Sequence, residues 1–323
     1  MDNSSFEILV SNLTNPTLLF FLLGIVAALL KSDLEIPTTS IKFISLYLLF
    51  SIGFKGGQEL EHGGSSAEIW YSILFGAAIA TLIPIYSFYL LKNKVGISNA
   101  GAIAASYGSV SAVTFVSAVS FLEIQGQPYG AHMIAVMALM EFPAIIMGFV
   151  LIMKHDKARD RSVDMGAILK HAISNGSVLM IVGSLIIGIV ADSKQAEGIK
   201  PFTTDIFKGF LAIFLLEMGM ITVKRFSSFK KHGLYVFLFA VLMPLFNGCV
   251  VALLSQFISD VAGTRFIFAI LAASASYIAV PAAMRLAAPN SDPGLYIPMA
   301  LGVTFPLNIT LGFPLYFYLV QLG

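Results

Sequence analysis

The chain has 323 residues, 57% hydrophobic and only 11% charged, with a formal net charge of +1; its mean hydropathy is +0.87. A soluble domain carries roughly 25% charged residues, so this chain cannot cover a water-facing surface, and lipid serves as much of its solvent. Near-zero net charge excludes bulk attraction to nucleic acid, and the single cysteine, Cys249, excludes an internal disulfide or a cysteine metal cluster.

Residues 1–12 (MDNSSFEILVSN) hold no Lys or Arg and no cleavage motif, so the first apolar run is expected to be retained. Apolar runs follow at 17–30, 41–53, 70–91, 98–122, 131–153, 176–191, 206–223, 234–257, 265–287 and 296–320. A helical span needs about 20 residues. The second run is short and crosses only if Lys42 and Lys55 snorkel to opposite faces; a re-entrant segment is the alternative. With the N-terminus outside, 14 of the 19 Lys and Arg fall on the cytoplasmic side and 5 do not. This bias predicts ten spans, both termini outside, and a plasma (inner) membrane location. The basic connection 154–175 divides the chain into halves, 1–153 and 176–323.

The halves read as copies in order. Leu23-Gly24-Ile25-Val26-Ala27 matches Ile187-Gly188-Ile189-Val190-Ala191, Pro37 matches Pro201, and Gly53 matches Gly219. Leu82-Ile83-Pro84 matches Leu242-Met243-Pro244, Ser106-Tyr107 matches Ser276-Tyr277, and Phe142-Pro143 matches Phe305-Pro306. All offsets lie between 160 and 170 residues. Five spans per copy is an odd number, so the second copy is inserted upside down. Inverted repeats accompany alternating-access transport. The predicted fold class is therefore an all-α polytopic membrane protein of ten transmembrane helices in two inverted five-helix repeats, with two crossing discontinuous helices.

The fourth span (NAGAIAASYGSVSAVTFVSAVSF) and the ninth (RFIFAILAASASYIAVPAAMRLAA) are rich in Ser, Ala and Gly at their centres. Gly108 lies mid-span in one and Pro281 follows the polar centre of the other, so both are read as broken helices that cross near the bilayer midplane. The first half-helices are expected to end near Tyr107 and Tyr277, and the second to begin near Ser109 and Ala279. Helix N-termini carry about half a positive charge and free N–H groups. Two meeting ends thus predict an anion site without Lys or Arg, to which Ser109 and Ser111 can add hydroxyl donors. Pro281 suits the first turn of a second half-helix. The opposed C-terminal carbonyls suit sodium. Ser106, Tyr107, Glu141, Ser274, Thr304 and Asn308 are the candidate sodium residues, and no metal or cofactor beyond sodium as coupling ion is expected. Small residues also serve close helix packing, which is the competing reading of either span alone.

Glu141 and Glu217 are the two carboxylates well inside spans, where charge is expensive and by default functional. Glu141 precedes Pro143 and has Thr304 as its repeat mate. Glu217 lies nearer the cytoplasmic end, within reach of Lys224 and Arg225, and is read as a gating or structural ion-pair residue.

At LLEMGM, AASYGSVSAVTF, AASASYIAVPAAMR and APNSDPGLYIPMALGVTFPLNITLGFPLYF, the chain resembles the cyanobacterial-type sodium-dependent bicarbonate transporters and their wider bacterial permease family. The resemblance runs along nearly the whole chain. It implies a gate domain from spans 1, 2, 6 and 7 and a core domain from spans 3–5 and 8–10. It also implies a homotrimer, sodium co-transport, a cytoplasmic regulatory protein as partner, and bicarbonate held at the crossing, in a pocket that falls here on Gly108, Ser109, Val110, Ser111, Ile278 and Ala279 with Ser276 beside it. Two departures are Tyr277, where the family carries an acidic residue, and a shorter central linker. A sodium symporter for an organic anion, similar to bile-acid carriers, is the alternative. A cation/proton antiporter fits less well, because the crossing holds Ser, Gly, Ala and Tyr instead of acids. Gly108-Ser109-Val110-Ser111 loosely resembles a serine nucleophile turn, with His132 as the nearest base, and an intramembrane enzyme is the remaining reading.

Overall fold

The computed structural model describes residues 16–63, 67–156, 170, 174, 176–229, 233–277, 280, 283, 284, 288 and 290–322. All secondary structure among these is helical. In chain order the helices are α1 (Pro16–Leu29), α2 (Thr38–Gly63), α3 (Ala67–Val95), α4 (Ile97–Gly108), α5 (Ala112–Ile124), α6 (Met133–His155), α7 (Gly176–Val190), the short α8 (Ser193–Glu197), α9 (Phe207–Phe229), α10 (Leu234–Leu254), α11 (Ala262–Ala273) and α12 (Pro293–Gln321).

Six stretches among the described residues are long and apolar enough to cross a membrane: Ala67–Val95, Ile97–Ile124, Met133–His155, Pro201–Lys224, Leu234–Phe257 and Pro293–Gln321. Shorter apolar helices occupy Leu19–Leu29, Leu179–Val190 and Ala262–Ala273. The second apolar run belongs to a continuous helix of 26 residues, α2, which at 1.5 Å per residue reaches about 39 Å. Large apolar side chains such as Leu29, Trp70, Leu74, Leu179 and Val190 stay exposed, as residues facing lipid do.

The helices pack in two groups. In the first, α1 lies along α9, and α2 lies along α7 while also touching α9. These seams are closed by glycine. A side chain at Gly24 would strike the Leu216 carbonyl, and one at Gly219 the Phe21 carbonyl. On the other seam, Gly57 faces the Leu185 carbonyl and Gly188, while Gly188 faces the Phe54 carbonyl and Gly57. Between helices in lipid, dispersion from close backbone approach replaces the hydrophobic drive, so small residues mark such contacts. The amide of Gln58 then donates to the Gly188 carbonyl and, at 2.8 Å, to the Ala191 carbonyl, satisfying two of the carbonyls that α7 leaves open at its end.

In the second group α3, α4 and α6 pack on one another, α10, α11 and α12 do the same, and α5 bridges to α11. α4 and α11 are almost wholly buried, from Ala100 to Gly108 and from Gly263 to Ala273. The groups meet where α9 touches α12, α6 touches α7 and α2 touches α5. Proline shapes several of these helices: it withholds a donor, and in a helix interior it leaves the carbonyl four residues earlier without its usual partner. α12 carries Pro298, Pro306 and Pro314, and its bonding slips to π-helical register at Met299–Thr304 and Asn308–Gly312. Such π segments recur at functional sites.

Candidate functional site

The fourth span breaks where Gly and Ser predict. α4 ends at Gly108, Ser109 turns to extended backbone (φ −85°, ψ 172°), and α5 begins at Ala112 with Ser111 as its N-cap. The second half-helix therefore starts three residues later than expected from sequence. Gly108 is demanded by its surroundings: a Cβ there would run into Pro84 Cγ and Cδ, from α3. The ninth span breaks earlier than expected. α11 ends at Ala273, and Ser274 is already extended (φ −85°, ψ 168°); helix is present again at Val280, Ala283 and Met284. Ile278, Ala279 and Pro281, on which half of the anticipated anion site rests, lie outside the described residues.

The two breaks are bonded to each other. Ser106 Oγ donates to the Ser276 carbonyl at 2.6 Å, and Ser276 N–H donates back to the Ser106 carbonyl at 2.8 Å. Ser111 N–H donates to Ser274 Oγ at 3.0 Å, and that hydroxyl donates to the Leu271 carbonyl at 3.0 Å. Thus Ser106, Ser111, Ser274 and Ser276 converge from both spans, with all four side chains buried.

Several of the donors expected to hold an anion are already engaged. Ser109 N–H caps α4 by donating to the Ala105 carbonyl at 3.0 Å, and Ser111 Oγ accepts from Thr114 N–H at 3.2 Å. Between them the Ser109 hydroxyl is fully buried and has no partner among the described residues. Val110 N–H likewise makes no hydrogen bond to a described residue. The break thus offers Ser109 Oγ and Val110 N–H as donors at the mouth of α5, where the helix dipole is positive.

The candidate sodium residues divide. Tyr107 and Thr304 meet, hydroxyl to hydroxyl, at 2.8 Å. Thr304 Oγ1 gives its own proton to the Ala240 carbonyl at 2.9 Å, so Tyr107 is the donor to Thr304. Ala240 is free to accept because Pro244, four residues on, supplies no N–H. Asn308 Nδ2 donates to the Ala273 carbonyl at 2.8 Å, at the end of α11, and its Oδ1 lies 3.3 Å from the Tyr316 hydroxyl, whose shorter contact is to the Pro244 carbonyl at 3.0 Å. Thr304 and Asn308 both fall in the π segments of α12. Glu141 lies on α6, which packs on α4, and its buried Oε2 has no hydrogen-bond partner among the described residues. Glu217 sits half-buried on α9, two turns before Lys224. His132, the base of the enzyme reading, is paired with Ser72 Oγ at 3.1 Å instead of with the serines of the break.

One polar residue escaped sequence reasoning. Asn247, buried in α10, accepts from Tyr86 at 2.5 Å through Oδ1, and its Nδ2 has no partner among the described residues. The signal was present, since an amide inside an apolar span is costly unless used.

Membrane-length apolar helices interrupted by hydroxyl-lined backbone, with the interruptions tied together, define a multi-pass membrane protein of the kind that carries solutes. The sequence profile of the Na+-dependent bicarbonate transporter superfamily matches residues 16–321, and the chain belongs to that superfamily. A search of curated protein sequences gives no match.

Proposed function

We propose that the chain is a sodium-coupled symporter that imports bicarbonate by alternating access, with the anion held where the fourth and ninth spans cross. The observation that carries this reading is the reciprocal Ser106–Ser276 pair. These two serines are repeat mates in the sequence, so the two breaks meet at matching positions of the two copies, through one hydroxyl-to-carbonyl and one N–H-to-carbonyl bond. The glycine seams support the same inverted symmetry: exchanging repeat partners turns the α1–α9 contact into the α7–α2 contact. On this reading α1, α2, α7 and α9 form the gate domain and the remaining long helices the core, with ten spans and both termini outside.

The Ser109 hydroxyl, Val110 N–H and the dipole of α5 supply the positive potential for the anion. Sodium is held by oxygens near Tyr107, Ser274, Thr304 and Asn308, with Glu141 as a charged contributor that closes on the site during the cycle. A homotrimer in the plasma membrane and control by a soluble cytoplasmic protein complete the proposal. Uptake of labelled bicarbonate into proteoliposomes under an inward sodium gradient tests it. Saturable uptake that collapses when the gradient is removed is expected; sodium-independent uptake, or none, refutes it.

A further inference from the structure

The ion pairs at one end of the bundle join the two helix groups. Glu123, in the last turn of α5, receives Lys55 from α2 at 3.4 Å on Oε1 and Lys208 from α9 at 3.3 Å on Oε2. Both lysines belong to the group closed by glycine seams; the glutamate belongs to the group that holds the crossing. Basic-residue bias assigns this end to the outside. Beside it lies a cleft of about 450 Å³ between α2 and residues 193–204, lined by Phe54, Lys55, Gln58, Lys200 and Thr203. Phe54 and Thr203 at its floor are buried.

We propose that Glu123, clamped between Lys55 and Lys208, is the outer latch of the transport cycle, closing the passage from outside to the crossing in the conformation seen here. It is a positioning residue: it touches no transported ion and sets which face of the protein is open. The contacts suit a reversible catch. The carboxylate side chain is 31% exposed and the lysines 33% and 57%, so each pair is weak and sensitive to salt. Two pairs on one carboxylate release together when either helix moves away from α5. The glycine seams allow no comparable release, because backbone meets backbone there.

The inference rests on the alternating-access reading, and its test separates the two. Ser120→Cys in a Cys249→Ala background, at a buried position one turn before Glu123 on α5, reports separation of α5 from α2 and α9 through its rate of labelling by a membrane-impermeant maleimide added outside. Glu123→Gln is expected to raise that rate roughly two- to tenfold, the sum of two weakly exposed pairs. Lys208→Gln should raise it less, and serves if Glu123→Gln folds poorly. Raising salt to molar strength should speed labelling of the parent but not of Glu123→Gln. The charge-reversed triple variant Glu123→Lys, Lys55→Glu, Lys208→Glu should return to the parent rate. Labelling of Glu123→Gln and Lys208→Gln at the parent rate overturns the latch, as does a triple variant as fast as Glu123→Gln, which would indicate lost packing instead of lost attraction. Labelling that responds in a protein showing no sodium-driven uptake leaves the latch standing and removes the transport reading. Uptake without a labelling response removes the latch alone.

Discussion

An alanine at position 108 would place a methyl group inside van der Waals contact of Pro84 Cγ and Cδ, and 3.2 Å from the Ala80 carbonyl oxygen. The pyrrolidine ring has no rotamer by which to step aside, so α3 and α4 must part. Overpacking of this kind costs about 1–3 kcal/mol. The parting occurs next to Ser109, so the same energy falls on the geometry of the break. At about 1.4 kcal/mol per decade, Gly108→Ala should weaken apparent bicarbonate affinity by roughly 5- to 150-fold, with a lower melting temperature in detergent. Removing the ring should relieve the clash: in a double-mutant cycle, Pro84→Ala and Gly108→Ala should couple favourably by about 1 kcal/mol or more. The measurements are thermal unfolding and uptake against bicarbonate concentration at saturating sodium. A Gly108→Ala protein equal to the parent in both, or additive with Pro84→Ala, refutes the argument that this contact sets the break.

Ser109→Ala and Ser111→Ala should behave differently. The unpartnered Ser109 hydroxyl is worth about 1.5–3 kcal/mol to a bound anion, so its loss should weaken affinity roughly 10- to 100-fold with little change in melting; Ser111 caps α5, so its loss should cost about 1 kcal/mol of stability and less affinity. Equal effects of the two on affinity would contradict the assignment of donors. Thr304→Val leaves the Tyr107 hydroxyl and the Ala240 carbonyl both unpaired, and should lower stability by about 1–3 kcal/mol, whereas Tyr107→Phe, which frees no buried donor, should cost less; thermal melts of the two variants decide. Glu141→Gln should raise the sodium concentration for half-maximal uptake while leaving folding yield intact, and a well-folded variant with unchanged sodium dependence would remove Glu141 from the cation pathway.

Composition made the membrane setting legible, and the apolar runs placed most of the helices. The break at Gly108–Ser111 was legible because glycine and serines stand in an otherwise apolar span. The early end of α11 was not. Its sequence continues through Ala272, Ala273, Ser274 and Ala275, residues that a helix tolerates, and the donor that satisfies the freed Ala273 carbonyl is Asn308, on another helix. The same limit applies to the donors: sequence named Ser109–Ser111 as a set, but only tertiary contacts reveal that Ser111 N–H is taken by Ser274. Lys55 and Lys208 stand out in the sequence as isolated cations beside apolar runs, yet Glu123 lies 68 and 85 residues from them, with no local pattern to pair them.

The glycine seams have a mechanical consequence. Where two helices touch through their backbones there is almost no soft material between them, so α1 with α9, and α2 with α7, transmit force like welded struts. Sliding within either pair would drive carbonyl oxygens into Cα atoms. Shear must therefore concentrate where side chains intervene, along the boundary of α2 with α5 and of α9 with α12, and the wear of sequence change should differ accordingly: substitutions that only enlarge a residue would be absorbed along that boundary, while at Gly24, Gly57, Gly188 or Gly219 even one methyl would pry a strut apart.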